Sequence, residues 1–379
     1  MAAAKNADQD EFEVDPFAPR RNPDLVGHEA AENILLDAWN SGRLPHAWLF
    51  TGPKGIGKAT LAYRFARFVL AQSVDFDADA GQDALFADPE PVASGLAISE
   101  NHPTYLQMSQ AAHPGLRVIE RSVDDKTKRM RGEIVVGDVR QAIKVFNVTA
   151  EGASWRVTIV DCADDMNVNA ANALLKTLEE PPARGLLILV AHNPGRLLPT
   201  IRSRCRTLAL KPLSDRDVAA MIAARNPEAE QGAVQALAHL ADGSPGRAFD
   251  LMESGGPALY EDLAGMLKEL PHSNVAELHK FADRICRRGN EGAFDTFISL
   301  LGWWLTRMIR HGAIGTAVPE IIQGDADVAA RLIARRSLEQ WIEVWEKISR
   351  LAAQADNLYL DRKQVLFNVF SILEKAARA

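Results

Sequence analysis

The chain has 379 residues, of which 47% are hydrophobic and 25% charged, a composition that suits ordinary packed domains and a length that holds two or three of them. A formal net charge of −7 excludes a globally basic nucleic-acid coat, although not a local basic face. Three scattered cysteines, Cys162, Cys205 and Cys286, form no CxxC pair, so neither a disulfide framework nor a self-contained zinc site is expected, and a reducing cytoplasm fits.

Residues 1–23 are acidic, lack the apolar run of a signal peptide and are expected to be disordered. Asp24 to Ser41 reads as a loop and an amphipathic helix, and Ala47 to Thr51 (AWLFT) as a short buried strand. The next segment, GPKGIGKAT from Gly52 to Thr60, has the spacing of a phosphate-cradling loop. Gly52, Gly55 and Gly57 would let backbone N–H groups turn toward a triphosphate, with Lys58 reaching the outer phosphates. The position after that lysine ordinarily supplies a magnesium-binding hydroxyl, and here it is Ala59. Thr60 comes one residue late, turned by about 100° in a helix starting near Lys58, so it is not expected to substitute. Leu61, Phe65, Phe68 and Val69 then recur at helical spacing, which completes a strand, loop and helix in the order such a site requires.

Gln72 to Ser99, rich in Asp, Ala and Pro, reads as an insertion or flexible loop. Leu116 to Glu120 (LRVIE) reads as a strand, DDKTKRMRGE as an exposed loop, and Asp138 as the N-cap of a helix with Val139, Ile143 and Phe146 on one face. Arg140 and Lys144 lie four apart on that helix and are candidates for contact with DNA phosphates, against the commoner role of solvating a helix. Arg156 to Asp161 (RVTIVD) is a strand ending in a carboxylate, at the sheet edge where ligands collect. A hydrolytic site of this design carries a glutamate next. Here that residue is Cys162, whose thiol is a poor base. Asp164 and Asp165 are close by, in positions unsuited to that job without an unusual turn.

A helix from about Asn169 to Glu180, stopped by Pro181 and Pro182, precedes the strand GLLILVA, and this alternation predicts an α/β fold with a parallel sheet. After Leu213 only helical patterns remain, beginning with Ser214 to Ala224 and Gln231 to Ala241. The last third carries the stripe Phe294, Phe297, Leu301, Trp304, Leu305 and Met308, then Trp341, Trp345 and Ile348 behind a capping box at Ser337 and Gln340. Core packing is favoured over a cofactor role for these tryptophans, with part of the apolar surface left for neighbouring subunits. No apolar stretch approaches the length of a membrane span, so a soluble, cytoplasmic protein is expected.

NALLKTLEEPP (Asn172 to Pro182) followed by LLPTIRSRC (Leu197 to Cys205) closely resembles the clamp-loader branch of the AAA+ family. With LPHAWLFTGPKGIGKATLA and NLYLDRKQVL (Asn357 to Leu366), the resemblance narrows to the delta-prime family of bacterial DNA polymerase III clamp-loader subunits. It spans nearly the whole chain, most weakly from Gln72 to Arg131 and in the tail. It implies a RecA-like AAA+ P-loop module over residues 24–211 with a variable insertion at 72–131, a three-helix lid over 212–255, and an all-helical collar over 256–379 through which five subunits form a ring.

The resemblance also implies a role: a non-hydrolysing accessory subunit in the loading of a sliding clamp on primed DNA. Its partners would be delta and tau/gamma subunits, the sliding clamp and primer-template DNA. Arg204, inside Ser203-Arg204-Cys205, matches the arginine finger that the family offers in trans to a neighbour's ATPase site, and Arg202 and Arg206 are weaker candidates. Arg247 in GSPGRA matches the sensor-2 arginine, retained here to stabilise the lid. Ala191, His192 and Asn193 occupy the sensor-1 region, where a structural His192 is favoured, as are structural roles for His46 and Cys205.

The family usually carries a four-cysteine zinc module in the region corresponding to about Phe86 to Leu116. None of those cysteines is present, and His102 with His113 cannot make a tetrahedral site, so no zinc and no other metal site is expected. ATP or ADP is at most a weak ligand of the degenerate loop. The rival readings are a catalytically active AAA+ ATPase acting on DNA through Thr60 and Asp164, and a small-molecule P-loop kinase or transferase, which the all-helical last third argues against.

Overall fold

In the computed structural model, which describes residues 15, 17–78, 93–124, 130–147, 154–287, 291–357 and 360–378, the chain divides after Leu213 into two units. The first runs α1 (Glu29–Asn40), β1 (Ala47–Thr51), α2 (Lys58–Ala78), α3 (Pro103–Ser109), β2 (Leu116–Ile119), α4 (Val136–Asn147), β3 (Arg156–Val160), α5 (Val168–Glu179), β4 (Gly185–Ala191), α6 (Pro199–Arg202) and β5 (Arg206–Ala209). The second holds α7 (Asp215–Arg225), α8 (Gln231–Ala241), α9 (Pro245–Glu253), α10 (Gly256–Glu269), α11 (Val275–Ile285), α12 (Glu291–Ile314), α13 (Asp325–Ile333), α14 (Leu338–Asn357) and α15 (Arg362–Arg378).

Every residue of β1 and β4 is buried, the pattern of strands covered on both faces. They lie inside a parallel sheet of order β2-β3-β4-β1-β5, while the edge strand β5 keeps only Leu208 buried. Alternation along β1 divides two cores: Trp48 meets Phe65 of α2 at 6.5 Å between ring centroids, whereas Ala47 and Leu49 belong to the cluster holding Val139, Ala171, Leu174 and Leu178 of α4 and α5. The chain leaves β1 for the far edge of the sheet and returns through β3 and β4, so strand order reverses beside β1 and opens a crevice at its C-terminal end. The α/β fold with a parallel sheet, followed by helices alone, is the architecture expected from sequence.

Several local expectations are corrected. Residues 17–23, placed in a disordered tail, form a turn tied to the first unit: Arg20 and Pro23 carbonyls accept from Arg67 and Arg64 of α2, and the Arg21 carbonyl accepts from the Tyr105 hydroxyl. Arg67 is 2% exposed, and a buried guanidinium needs such acceptors. Residues 1–14 and 16 lie outside the described residues. Helix α2 continues through Ala78 rather than yielding to a loop at Gln72, because no Gly or Pro interrupts it there; residues 79–92 of the expected insertion lie outside the described residues. In the exposed loop, Val123 and Met130 form an antiparallel bridge, and residues 125–129 lie outside the description. Asp138 is not an N-cap: α4 starts at Val136, and the Asp138 carboxylate sits in the first turn, where it accepts from Ser122 Oγ at 2.9 Å and faces the positive helix end.

In the second unit all six residues of the α12 stripe are buried. The capping box forms reciprocally, Ser337 N–H donating to Gln340 Oε1 and Gln340 N–H to Ser337 Oγ. Trp345 departs from its expected stripe: the buried face of α14 is Trp341, Val344 and Ile348, and Trp345 is 37% exposed beside it. Among the described residues no helix is long and apolar enough to cross a membrane.

Candidate functional site

The loop from β1 to α2 has the backbone its glycines allow. Gly52 has φ +143°, and a Cβ there would stand 2.5 Å from the Leu210 carbonyl oxygen, so only glycine fits. Gly57, at φ +104°, lies against the ring of His28. His28 is 5% exposed, and its Nε2 is 2.6 Å from the Ile56 carbonyl, which pins the loop from behind. No periodicity marks His28 as a loop-holding residue, and the sequence reading missed it.

Lys58 opens α2 with its side chain buried and its ammonium turned back on the loop, donating to the Gly52 carbonyl at 2.8 Å and to the Pro53 carbonyl. Burial draws its pKa down to about 8, against the opposing fields of Asp164, Cys162 and Asp161. Ala59 presents only a methyl group, and Thr60 is partly buried one position along the helix.

Beside this loop, at the ends of β3 and β4, lies a second set of polar groups. Asp161 follows β3 and its N–H donates to the Ile119 carbonyl at 2.9 Å. Cys162 adopts a left-handed backbone (φ 56°), with Sγ 3.4 Å from His192 Nε2. Burial, with Asp161 and Asp165 near, pushes the Cys162 thiol up to about 12, so it remains neutral at physiological pH. Asp164 is buried in the short turn Ala163–Asp165, and its carboxylate accepts the backbone N–H groups of His192 at 3.1 Å and Asn193 at 2.8 Å. This carboxylate ties the exit of β3 to the exit of β4. His192 is half-buried, and its pKa is lowered by burial and by the Lys58 charge. Asn193 Oδ1 accepts from Gly195 N–H.

Gly52, Gly55, Gly57, Lys58, Thr60 and Asp161 thus gather at one edge of the sheet. Arg204 does not join them. In the parallel sheet Trp48 pairs with Arg206, so Arg204 precedes β5 at the end where β1 begins, opposite the end from which the Gly52 loop leaves. Its side chain is 37% exposed, and the guanidinium bonds Glu179 at 2.8 Å and the Thr200 carbonyl at 3.1 Å. Of its neighbours, Arg202 donates to the Pro194 carbonyl, Arg206 lies 4.9 Å over the Trp48 ring, and Cys205 packs on the core with its thiol pushed up by burial to about 12.

Arg247 belongs to the second unit. Its N–H donates to Ser244 Oγ in the first turn of α9, and its guanidinium lies 5.5 Å from the Trp303 ring centroid with Nε and one terminal nitrogen buried without a hydrogen-bond partner. Arg140 and Lys144 are exposed on α4, on the side away from Val139 and Ala142. The other histidines singled out in the sequence are locally occupied: His46 bonds the Leu178 carbonyl, His102 caps α3, and His113 accepts from Gly115 N–H. Among the described residues no three His, Cys, Asp or Glu side chains gather as metal ligands.

A family model described as DNA polymerase III, delta subunit, matches residues 27–214, which takes in the whole sheet and every residue of the loop site. That segment is similar to this family. Within the DNA polymerase III subunits, the chain is 35% identical over 200 residues to subunit delta' of Pseudomonas aeruginosa, covering 53% of each chain. It is 31% identical over 233 residues to subunit delta' of Escherichia coli, covering 62% of each, and 26% identical over 298 residues to subunit tau of Bacillus subtilis, covering 73% of this chain and 48% of that one. The chain spans 53%, 62% and 48% of the lengths of these three relatives, in that order.

Proposed function

We propose that this chain is a non-hydrolysing accessory subunit of a DNA polymerase III clamp loader in replication, which completes a neighbouring subunit's ATPase site by lending Arg204. The observation that carries the reading is the placement of Arg204 at the sheet edge opposite its own phosphate loop, on the surface and out of reach of that loop. A guanidinium so placed serves a site on another chain, and its planar donor fork suits the charge that develops on a transferring phosphoryl group.

The chain's own loop supports the same conclusion. Ala59 offers no magnesium ligand, Cys162 holds a neutral thiol where a base belongs, and Asp164 is committed to backbone N–H groups. The partners are the delta and tau/gamma subunits of a five-membered ring, with the sliding clamp and primer-template DNA inside the assembly and Arg140 and Lys144 as candidate phosphate contacts. Arg247, gripped by Trp303 in its own unit, stabilises the helices around it. ATP or ADP remains at most a weak ligand, and the compartment is the cytoplasm.

Reconstitution of the ring with Arg204→Ala tests the reading. Assembly is expected to persist while clamp-stimulated ATP hydrolysis falls by about 10³-fold or more at the completed site. Unchanged hydrolysis in a ring that contains the variant removes the role of Arg204. Robust Lys58-dependent hydrolysis by the purified chain alone favours the rival, an active ATPase.

A further inference from the structure

Helices α14 and α15 of the second unit line a shallow, solvent-open groove of about 490 Å³ whose described charged residues, Lys347, Arg350 and Lys375, are all positive. From α14 it takes Lys347, Arg350, Leu351 and Gln354, the i, i+3, i+4, i+7 stripe of one helical face. From α15 it takes Asn368, Ser371, Ile372 and Lys375, the same stripe on the facing helix. Leu351 and Ile372 are half-buried and give an apolar floor, while the three cations are exposed around it. Among the described residues no carboxylate lines the groove, in a chain whose net charge is −7. Lys347 has one distant acid, Glu343 at 3.8 Å, and Arg350 and Lys375 have no ion-pair partner among the described residues.

We infer that this groove is a docking site for a short acidic peptide segment of a partner protein, one that carries an apolar side chain between its carboxylates. Charge complementarity selects an anion, and the other lining groups select a peptide over a nucleic acid. The Leu351 and Ile372 floor gives nothing to a phosphate backbone, and among the described residues the lining contains no aromatic ring on which a base would stack. Gln354, Asn368 and Ser371 supply amide and hydroxyl groups that match peptide N–H and C=O. Seven residues of helix measure about 10 Å, the span of about three residues of extended peptide.

The test is fluorescence anisotropy with the full chain and a fluorescein-labelled peptide of alternating Asp, Glu and Leu residues. Saturable binding that weakens with added salt is expected. Arg350→Glu combined with Lys375→Glu is expected to weaken it at least about tenfold, and a peptide with Asn and Gln in place of the acids is expected not to bind. Far-UV circular dichroism establishes that the double variant is folded, and Arg350→Ala alone is measured in its place if it is not, with a loss of about threefold expected. Absence of saturable binding up to about 1 mM, or equal affinity for wild type and folded variant, overturns the proposal. So does a single-stranded oligonucleotide of equal charge that binds more tightly than the peptide and depends on the same two residues.

Discussion

The ammonium of Lys58 donates to the carbonyl of Gly52 at 2.8 Å, closing the phosphate loop on its own lysine. A triphosphate would have to draw that ammonium away from two backbone carbonyls without help from a magnesium ligand at Ala59. Lys58→Ala is therefore expected to leave the ATP turnover of the purified chain at the background level shown by the wild type. A coupled ATPase assay checks this, and a turnover that disappears with the substitution defeats the reading.

Burial draws the pKa of Lys58 from 10.5 to about 8. Between those values the unfolded chain holds the proton that the folded chain has released, so stability rises with pH across that window and the destabilising effect of the buried charge is fully present below about pH 8. At ~1.4 kcal/mol per pH unit across that window the gain is on the order of 3–4 kcal/mol. Lys58→Met removes this linkage. Thermal unfolding of both proteins from pH 7 to 10.5 should show the wild type gaining on the variant as pH increases, and a constant difference would contradict the assignment.

The two hydrogen bonds from His192 and Asn193 N–H groups to the Asp164 carboxylate join the exits of β3 and β4. Asp164→Ala leaves these donors without their acceptor, at an expected cost of about 2–4 kcal/mol in urea unfolding. Asp164→Asn keeps an acceptor oxygen and should lose less than half of that. A loss below about 0.5 kcal/mol in the alanine variant would show that the carboxylate does not hold the two exits together.

Gly52→Ala places a methyl group 2.5 Å from the Leu210 carbonyl oxygen at a φ of +143°. Strain of this kind costs about 1–3 kcal/mol, and the obstructing atom is backbone, so relaxation must move the segment after β5. A lowered melting temperature is expected. An unchanged one would mean the loop adopts another backbone.

Glu179 pairs with Arg204 across a half-exposed surface, where such a pair is worth about 0–1 kcal/mol. Glu179→Ala should therefore leave stability within about 1 kcal/mol and free the guanidinium, with ring-dependent ATP hydrolysis maintained or raised. A loss as large as that of Arg204→Ala would make the pair, rather than the free arginine, the active unit.

Much of the loop site was legible along the chain because its signals are local. The glycine spacing, Lys58, Ala59 and the Asp161-Cys162 step are all read within a few residues, and the buried strands declare themselves by unbroken apolar runs in AWLFT and GLLILVA. Errors arose where a partner distant in sequence decides the outcome. Residues 17–23 look like a tail until Arg64, Arg67 and Tyr105 supply donors from α2 and α3. Trp345 looks like part of a core stripe until the turn of α14 selects Val344 instead.

The sequence by itself determined which groups stand at the loop and after β3, since Ala59 carries no hydroxyl and Cys162 carries a thiol however the chain packs. Tertiary structure alone decided where the remaining groups point. It closed Lys58 onto Gly52, bound Asp164 to the end of β4, and set Arg204 at the edge of the sheet opposite the loop. The physical reason is that a residue type carries its charge and donors wherever it stands, whereas direction and burial arise from strand register and from neighbours brought together by the fold.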